Sequence, residues 1–343
     1  MLLRIKPLLL IFSLTVVASL QAKDLPNILW LTSEDNSPFL GCYGDELANS
    51  PNIDRLAKEG ILFEKAYSNA AVCAPARTTL ILGMYPTSLG AEHMRSEAEV
   101  PSHIQHYPHY LKKAGYYCTN NSKTDYNLDH ANNGWDESSS KAHYRNRPKD
   151  SPFFAIFNYT TTHESRLHPK RHTVPMGADP EKVRVPAYIP DTETSRERIA
   201  VYYNRIHEMD KQIGERLDEL EEAGLADDTI VFYYSDHGGA MPRSKRFIYE
   251  SGTRVPLVVR FPKKWAHLSP FQAGSKTTEM VGFVDFAPTL LSLAGLKIPE
   301  HMHGRAFLGE QRSPETEYTY LFRARADECL DFKRGLTDGR YRY

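Results

Sequence analysis

Cysteine is scarce: Cys42, Cys73, Cys118 and Cys329 are the only four in 343 residues. Four thiols so far apart do not make a disulfide framework, and their spacing is compatible both with a Cys42–Cys118 bridge and with two buried thiols. Excess charge is lacking too. Lys and Arg total 42 against 43 Asp and Glu, a net charge of -1, which argues against a nucleic-acid partner. Beyond residues 8–20, no apolar run approaches the roughly 20 residues that a membrane span needs. That one run follows Arg4 and Lys6 and precedes a small-residue cut site after Ala22, the pattern of a secretory signal over residues 1–22. The mature chain is therefore expected to be secreted or periplasmic, with no stable membrane insertion once the signal is cleaved; an uncleaved anchor is the alternative.

At this length one large core with a smaller appendage is expected. Residues 27–32 (NILWLT) form a short apolar run of the kind found in buried parallel strands, breaking into the polar loop SEDNSP. A helix is expected over 52–59, stopped by Gly60, and strands over 61–66, 115–119, 153–159, 229–234 and 257–261. Residues 120–150 are polar and poor in aliphatics, which predicts a long surface loop. Ile199, Tyr202, Ile206, Met209, Ile213, Leu217 and Leu220 recur at helical spacing, after a Thr194/Glu197 capping box and before Gly224. Residues 286–294 read as a helix closed by Gly295, and residues 334–343 as a hairpin turning at Asp338-Gly339. Strands alternating with helices, each strand ending in polar residues, predict an α/β sheet with its site at the strand C-termini.

The chemistry gathers at a few of these ends. Cys73-Ala74-Pro75-Ala76-Arg77 opens an apolar helical run, which puts the thiol at a helix N-terminus where backbone N–H groups and the dipole favour an anion. Glu34 and Asp35 are adjacent carboxylates at the end of one strand, and Asp236-His237 ends another some two hundred residues later. Like charges brought onto one rim repel unless a cation holds them. Oxygen-rich ligation favours calcium, with magnesium second.

CAPAR with its downstream LILGMYP resembles the signature of the type I sulfatases, and family-like blocks follow in order over residues 27–343. The resemblance implies an alkaline-phosphatase-like α/β sandwich with a central, mostly parallel sheet flanked by helices. It also implies a catalytic domain over 23–315 and, over 316–343, only the start of a small C-terminal antiparallel subdomain. It implies that Cys73 is oxidised to formylglycine by a formylglycine-generating enzyme, leaving three cysteines and so at least one unpaired within the chain. The implied metal ligands are Glu34, Asp35, Asp236 and His237, with the modified residue 73. Glu34 and His237 stand where Asp and Asn are commoner. Lys123 matches a lysine that contacts formylglycine and sulfate, His163 a substrate-binding histidine, and Lys245, in K-x-x-x-Y-E-x-G-x-R-V-P, a sulfate-binding lysine. Arg77 would neutralise and orient residue 73 through its guanidinium. Two residues after Lys123 the family carries a histidine; here Asp125 stands there, a carboxylate that would repel sulfate.

The implied mechanism is attack by the hydrated aldehyde on sulfur, with Asp236 or a neighbour taking the proton and Lys245 or His163 protonating the leaving group. The segment from Val185 to Gly238 is most similar to the heparan N-sulfatase branch, which implies a sulfated glycan substrate, N-sulfoglucosamine being the narrowest expectation. His93, Arg95 and the basic residues His168, Lys170, Arg171 and His172 are candidates for gripping a polyanion. Two other readings stay open: a metal-dependent phosphatase or phosphonate hydrolase of the same superfamily, and an inactive glycan-binding relic.

Overall fold

The run Asn27–Ser33 is buried on both faces along its whole length, which a sheet covered on both sides requires. The computed structural model describes residues 24–129, 134–167, 175–326 and 329–343. The signal segment 1–22 and His168, Lys170, Arg171 and His172 lie outside the described residues. In chain order the elements are β1 (Asn27–Ser33), α1 (Pro51–Glu59), β2 (Ile61–Tyr67), α2 (Cys73–Leu82), α3 (Tyr107–Lys113), β3 (Tyr117–Asn121) and β4 (Glu137–Ser138). They continue with β5 (Phe153–Tyr159), α4 (Glu193–Glu222), β6 (Thr229–Ser235), α5 (Glu250–Thr253), β7 (Arg254–Val255) and β8 (Leu257–Arg260). The last are β9 (Ser275–Gly282), α6 (Phe286–Leu293), β10 (Thr319–Arg323) and β11 (Lys333–Thr337).

Nine strands form one sheet in the order β4-β3-β5-β1-β6-β8-β2-β7, with β9 also paired to β2. The run from β4 to β6 is parallel throughout. β8 is antiparallel to both β6 and β2, so β2 points the same way as β6 and β1. The C-terminal ends of β1, β2, β3, β5 and β6 therefore lie along one rim. This mostly parallel sheet flanked by helices is the architecture expected from the sequence.

Alternation along β1 splits the core in two. Ile28 and Trp30 face a layer built with α2, α3 and α6, while Leu29 and Leu31 face a layer built with α1 and α4. Trp30 anchors the first layer, with edge-on contacts to Phe154, Tyr234 and Phe286 at centroid distances of 5.0, 5.5 and 5.7 Å. The periodic residues of α4 anchor the second; Ile206, Met209, Ile213 and Leu220 are fully buried. Cys118 packs in the first layer and Cys42 against the second, so the sheet separates them and all four cysteines are free. The bridge considered above does not form.

Other expectations change in detail. The cap of α4 is Thr192, whose hydroxyl accepts from Ser195 N at 3.2 Å, two residues before the Thr194/Glu197 pair. Within 120–150, Tyr126, Leu128, Ala142 and Tyr144 are buried and β4 pairs with β3, so this stretch is packed onto the body rather than being a surface loop. Its aromatic anchors are isolated among polar residues and leave no periodic trace. β9 had no strand signal because its first half alternates into solvent. The turn at Asp338-Gly339 does return the chain, with Leu336 and Tyr343 exchanging two backbone hydrogen bonds of 3.0 Å, but β11 also pairs with β10. That small antiparallel sheet docks on the segment leading into α2, where Phe322 N donates to Asn69 O at 2.9 Å.

One buried carboxylate ties the second layer together. Asp210 on α4, fully buried, accepts from Asn52 N and Ile53 N at 3.2 and 2.9 Å and from the Asn52 amide at 2.8 Å, capping the start of α1 from another helix. Asp210→Ala leaves those donors unpaired. We expect it to lower unfolding free energy by about 2–3 kcal/mol, read as a shifted denaturant midpoint at unchanged m-value.

Candidate active site

Cys73 is the first residue of α2, a helix buried on all sides, and Arg77 lies one turn later on the same face. The thiol is 2% exposed. Glu34 and Asp35 leave β1, Lys123 follows β3, His163 follows β5, Asp236 and His237 leave β6, and Lys245 arrives on the loop after β6. A Cβ at Gly238 would sit 2.1 Å from the Ser251 carbonyl oxygen, so only glycine lets that loop pass back so closely behind His237. Asp35 has φ of +48°, in the left-handed region that costs a non-glycine residue about 1 kcal/mol or more, and strain of this kind collects at functional sites.

Burial brings these groups into direct contact. His237 Nε2 is 3.4 Å from Cys73 Sγ and 3.0 Å from Asp35 Oδ1. Lys245 Nζ donates to both Asp35 oxygens at 3.0 and 2.8 Å and lies 3.1 Å from His163 Nε2. Arg77 donates twice to Asp236 Oδ2, at 3.2 and 3.1 Å, and to Asn158 Oδ1 at 2.7 Å. Lys123 Nζ is 2.9 Å from Glu34 Oε1 and 3.7 Å from Asp125. Arg77, expected to orient residue 73, is therefore held by Asp236 and Asn158, on the side of the carboxylates.

The ionisation states follow from this packing. For Asp35, burial is the largest influence and pushes its pKa up, but His237, Lys245 and His163 together outweigh it and hold the carboxyl well below the usual range. Burial likewise pulls His237 down, and Asp236 and Asp35 more than reverse it. Burial and Asp236 raise the Cys73 thiol, while His237 and hydrogen bonds from His163 and His237 bring it net below the ordinary thiol value. His163 is raised, chiefly by its hydrogen bond to Cys73.

The donor set fits a hard divalent cation. Two overlapping groups, Glu34, Asp35, Cys73 and His163, and Asp35, Cys73, Asp236 and His237, each bring their potential ligand atoms within 4.8 Å of one another. Glu34 Oε1 is buried without a hydrogen bond, its charged neighbours being the Lys123 and Arg77 nitrogens at 2.9 and 3.6 Å. His237 Nδ1 lies 2.8 Å from the Gly238 carbonyl, which can only accept, so Nδ1 carries a proton and Nε2 is the atom turned into the cluster, where a bound cation would take the place of its proton. Carboxylates outnumber nitrogen donors, which suits calcium or magnesium better than a softer metal.

The structure thus brings Glu34, Asp35, Cys73, Arg77, Lys123, His163, Asp236, His237 and Lys245 together. It does not bring in His93 or Arg95. His93 Nδ1 accepts from Arg325 N at 3.2 Å and its ring meets Phe332 edge-on at 5.3 Å. Arg95 is exposed at φ +56°, held through its backbone N–H to Asn127. Among the described residues no hydrogen bond or ion pair joins either to the cluster. Asp125 sits beside Lys123, at φ +47°.

Four supporting residues were not foreseen. Asn158 holds Arg77, and the Thr162 hydroxyl donates to the Glu34 carbonyl. The Tyr202 hydroxyl donates to the Asp35 carbonyl, and Glu164 accepts from Arg246 at 2.7 and 2.6 Å while its N–H donates to Asp35 Oδ2 at 2.7 Å. Asn158 alone left a signal, a polar residue near the end of an apolar strand.

Comparison with known proteins adds the following. The family profile described as Sulfatase matches residues 26–146 and 117–296. An ulvan-active sulfatase of Formosa agariphila is 39% identical over 370 residues, covering 94% of this chain and 61% of that protein. Human N-sulphoglucosamine sulphohydrolase is 26% identical over 338 residues, covering 82% and 65%. The chain thus spans about three-fifths to two-thirds of the length of these relatives. Among solved structures, a phosphonate monoester hydrolase of Agrobacterium radiobacter superposes with a TM-score of 0.76 at 17% identity, covering 93% of this chain and 86% of that one, which is a likeness of fold.

Proposed function

Because the chain belongs to the sulfatase family, we propose that it hydrolyses sulfate esters or sulfamates of a sulfated carbohydrate, with residue 73 as the reacting group. One observation carries this reading: the Cys73 sulfur lies at the start of a buried helix, 3.4 Å from His237, inside a cluster of three carboxylates and flanked by Lys245 and His163. No such concentration of charge around a thiol is needed to hold a fold. The relatives named above, an ulvan-active sulfatase and an N-sulphoglucosamine sulphohydrolase, support a polysaccharide or glycosaminoglycan substrate.

Overall the reaction adds water across the bond between sulfur and the bridging oxygen or nitrogen, giving sulfate and the free alcohol or amine. We propose Glu34, Asp35, Asp236 and His237 as ligands of a divalent cation, calcium first, which supplies positive charge against the sulfate oxygens. Formylglycine made from Cys73 by a formylglycine-generating enzyme supplies, in its hydrated form, a hydroxyl nucleophile and a second hydroxyl for release, which serine and cysteine lack. Lys245 and Lys123 approach the same point from opposite segments and give the sulfate fixed positive partners. His163, whose Nε2 lies 3.1 Å from Lys245 Nζ and which shares the cluster with residue 73, is placed to hand a proton to the leaving oxygen or nitrogen. Arg77, anchored on Asp236, keeps that carboxylate ionised and aimed into the cluster. Secretion or periplasmic export belongs to the same proposal; among the described residues no helix is long and apolar enough to cross a membrane.

The test sets 4-nitrophenyl sulfate against 4-nitrophenyl phosphate. We expect turnover of the sulfate to exceed that of the phosphate by at least about 100-fold in kcat/KM, and to be lost with a chelator and restored by added calcium. Preference for the phosphate would support the phosphonate-hydrolase-like reading, whose fold this chain shares.

A further inference from the structure

The loop that delivers Lys245 also carries an arginine that forms no ion pair among the described residues. Arg243 lies two residues earlier, at φ +62°. Its guanidinium carbon is 4.5 Å from the centroid of the Tyr249 ring and 5.5 Å from that of Tyr188. Both rings are partly exposed, 44% and 42%. Tyr249 stacks on Phe247 at 5.9 Å and 18°, and Arg323 from β10 covers Phe247 at 4.5 Å. The five side chains make a continuous ladder of rings and cations from Tyr188 to the small C-terminal sheet.

The ladder fixes the plane of the Arg243 guanidinium and leaves its edges open. Among the described residues no carboxylate or carbonyl accepts from it. The nearby Glu250 is engaged by Arg342, with Arg254 at 3.9 Å. Arg243 lines a cleft of about 480 Å³ whose walls include Phe39, Tyr188, Gly239, Ser244 and Tyr249, a volume in the range of small-molecule pockets. Ser244 immediately precedes Lys245, and Gly239 follows His237 by two residues, so the cleft is built on the segment that supplies the site. Arg246, on the other side of Lys245, also has positive φ, +75°. A loop strained at two non-glycine residues around one functional lysine is held in that shape by its surroundings.

A planar fork held against two rings and free at its N–H edges is a preorganised receptor for an oxyanion, and the ring edges beside it suit the apolar faces of a sugar. We infer that Arg243, clamped between Tyr188 and Tyr249, is a specificity-determining residue that grips a carboxylate or sulfate ester on a sugar adjoining the one that loses sulfate. The inference rests on the sulfatase reading for its substrate class.

The test is calorimetric titration of the full chain with a sulfated, uronate-containing tetrasaccharide, with turnover of that compound and of 4-nitrophenyl sulfate followed in parallel. Arg243→Ala weakens binding about tenfold or more, the scale of one lost charge-assisted pair. It lowers kcat/KM for the tetrasaccharide relative to the aryl sulfate by a similar factor, through KM. Arg243→Lys recovers part of the loss. Tyr188→Ala, which keeps the charge and opens one side of the clamp, weakens binding severalfold. If a carboxylate is the anion gripped, reducing the uronates to alcohols erases the Arg243→Ala penalty. If a sulfate ester is gripped, the penalty survives reduction and disappears on desulfating the adjoining sugar. Equal affinity of Arg243→Ala and the parent protein, with unchanged thermal melting, overturns the inference. A protein that turns over neither compound but still needs Arg243 for affinity contradicts the sulfatase reading and leaves the anion clamp standing.

Discussion

Cys73→Ala should remove turnover of an aryl sulfate, by at least about 10³-fold in kcat, while the chain stays folded. Loss of a nucleophile costs this much or more because nothing nearby replaces the bond it forms. No other cysteine approaches the cluster, and His163 and His237, the nearest nitrogen nucleophiles, are engaged with Lys245 and Asp35. The cost in stability is small by comparison. Removing one buried sulfur leaves a cavity worth about 1–2 kcal/mol, and also takes away a thiol that packs against charged groups. Cys73→Ser in a host that converts only cysteine should behave alike. Full activity of either variant would place the chemistry elsewhere. Thermal melting reported beside kcat separates loss of chemistry from loss of fold.

Asp236→Asn is expected to damage both properties at once. Asp236 is fully buried, takes two hydrogen bonds from Arg77, accepts from Asp35 N at 3.2 Å and is proposed to bind the cation. The amide preserves shape and one acceptor oxygen but not the charge. Arg77, 3% exposed, is then left with Glu34 at 3.6 Å as its nearest anion. Stranding a buried guanidinium in this way costs about 3 kcal/mol, and losing a carboxylate from the cation site about 10²- to 10³-fold in kcat. The effect carries a pH signature. Burial pushes the Asp236 carboxyl up, but His237, Arg77 and Lys123 hold it net below its ordinary value. A carboxyl with a lowered folded-state pKa contributes stability that is present above the unfolded pKa and lost as pH falls through the folded one. The gap in melting temperature between parent and variant should therefore be full near pH 7 and shrink on acidification below about pH 4. A gap that widened in acid would contradict the assignment of Arg77 and Asp236 as a charged pair.

The central strands and the cluster they carry were legible for one physical reason. A parallel strand covered on both faces must be apolar along its length, and its exit into polar loop residues marks the rim where sites sit. Residues 27–32 and 229–234 announced themselves this way, and with them Glu34, Asp35, Asp236 and His237. The helical face from Ile199 to Leu220 was equally plain. What escaped lacked a period. β9 alternates into solvent over half its length, and Tyr144 is one aromatic among polar neighbours whose burial only tertiary packing decides. Tyr202 holds an apolar-face position on α4; its ring is core, and only its hydroxyl, reaching the Asp35 carbonyl, belongs to the site. The same limit hid Arg243, whose significance lies in two rings on separate segments. Charge at His93 and Arg95 pointed the other way, since both sit on a nearby loop that the small C-terminal sheet and Asn127 occupy instead.

The most direct measurement is the mass of the tryptic peptide spanning residues 66–77 from an active preparation. Conversion of Cys73 to an aldehyde removes about 18 Da relative to the unmodified thiol, by atom counting on the cysteine side chain. The account predicts that this lighter peptide is present and that its fraction tracks specific activity across preparations. A fully active preparation in which the peptide carries only an intact thiol would contradict it.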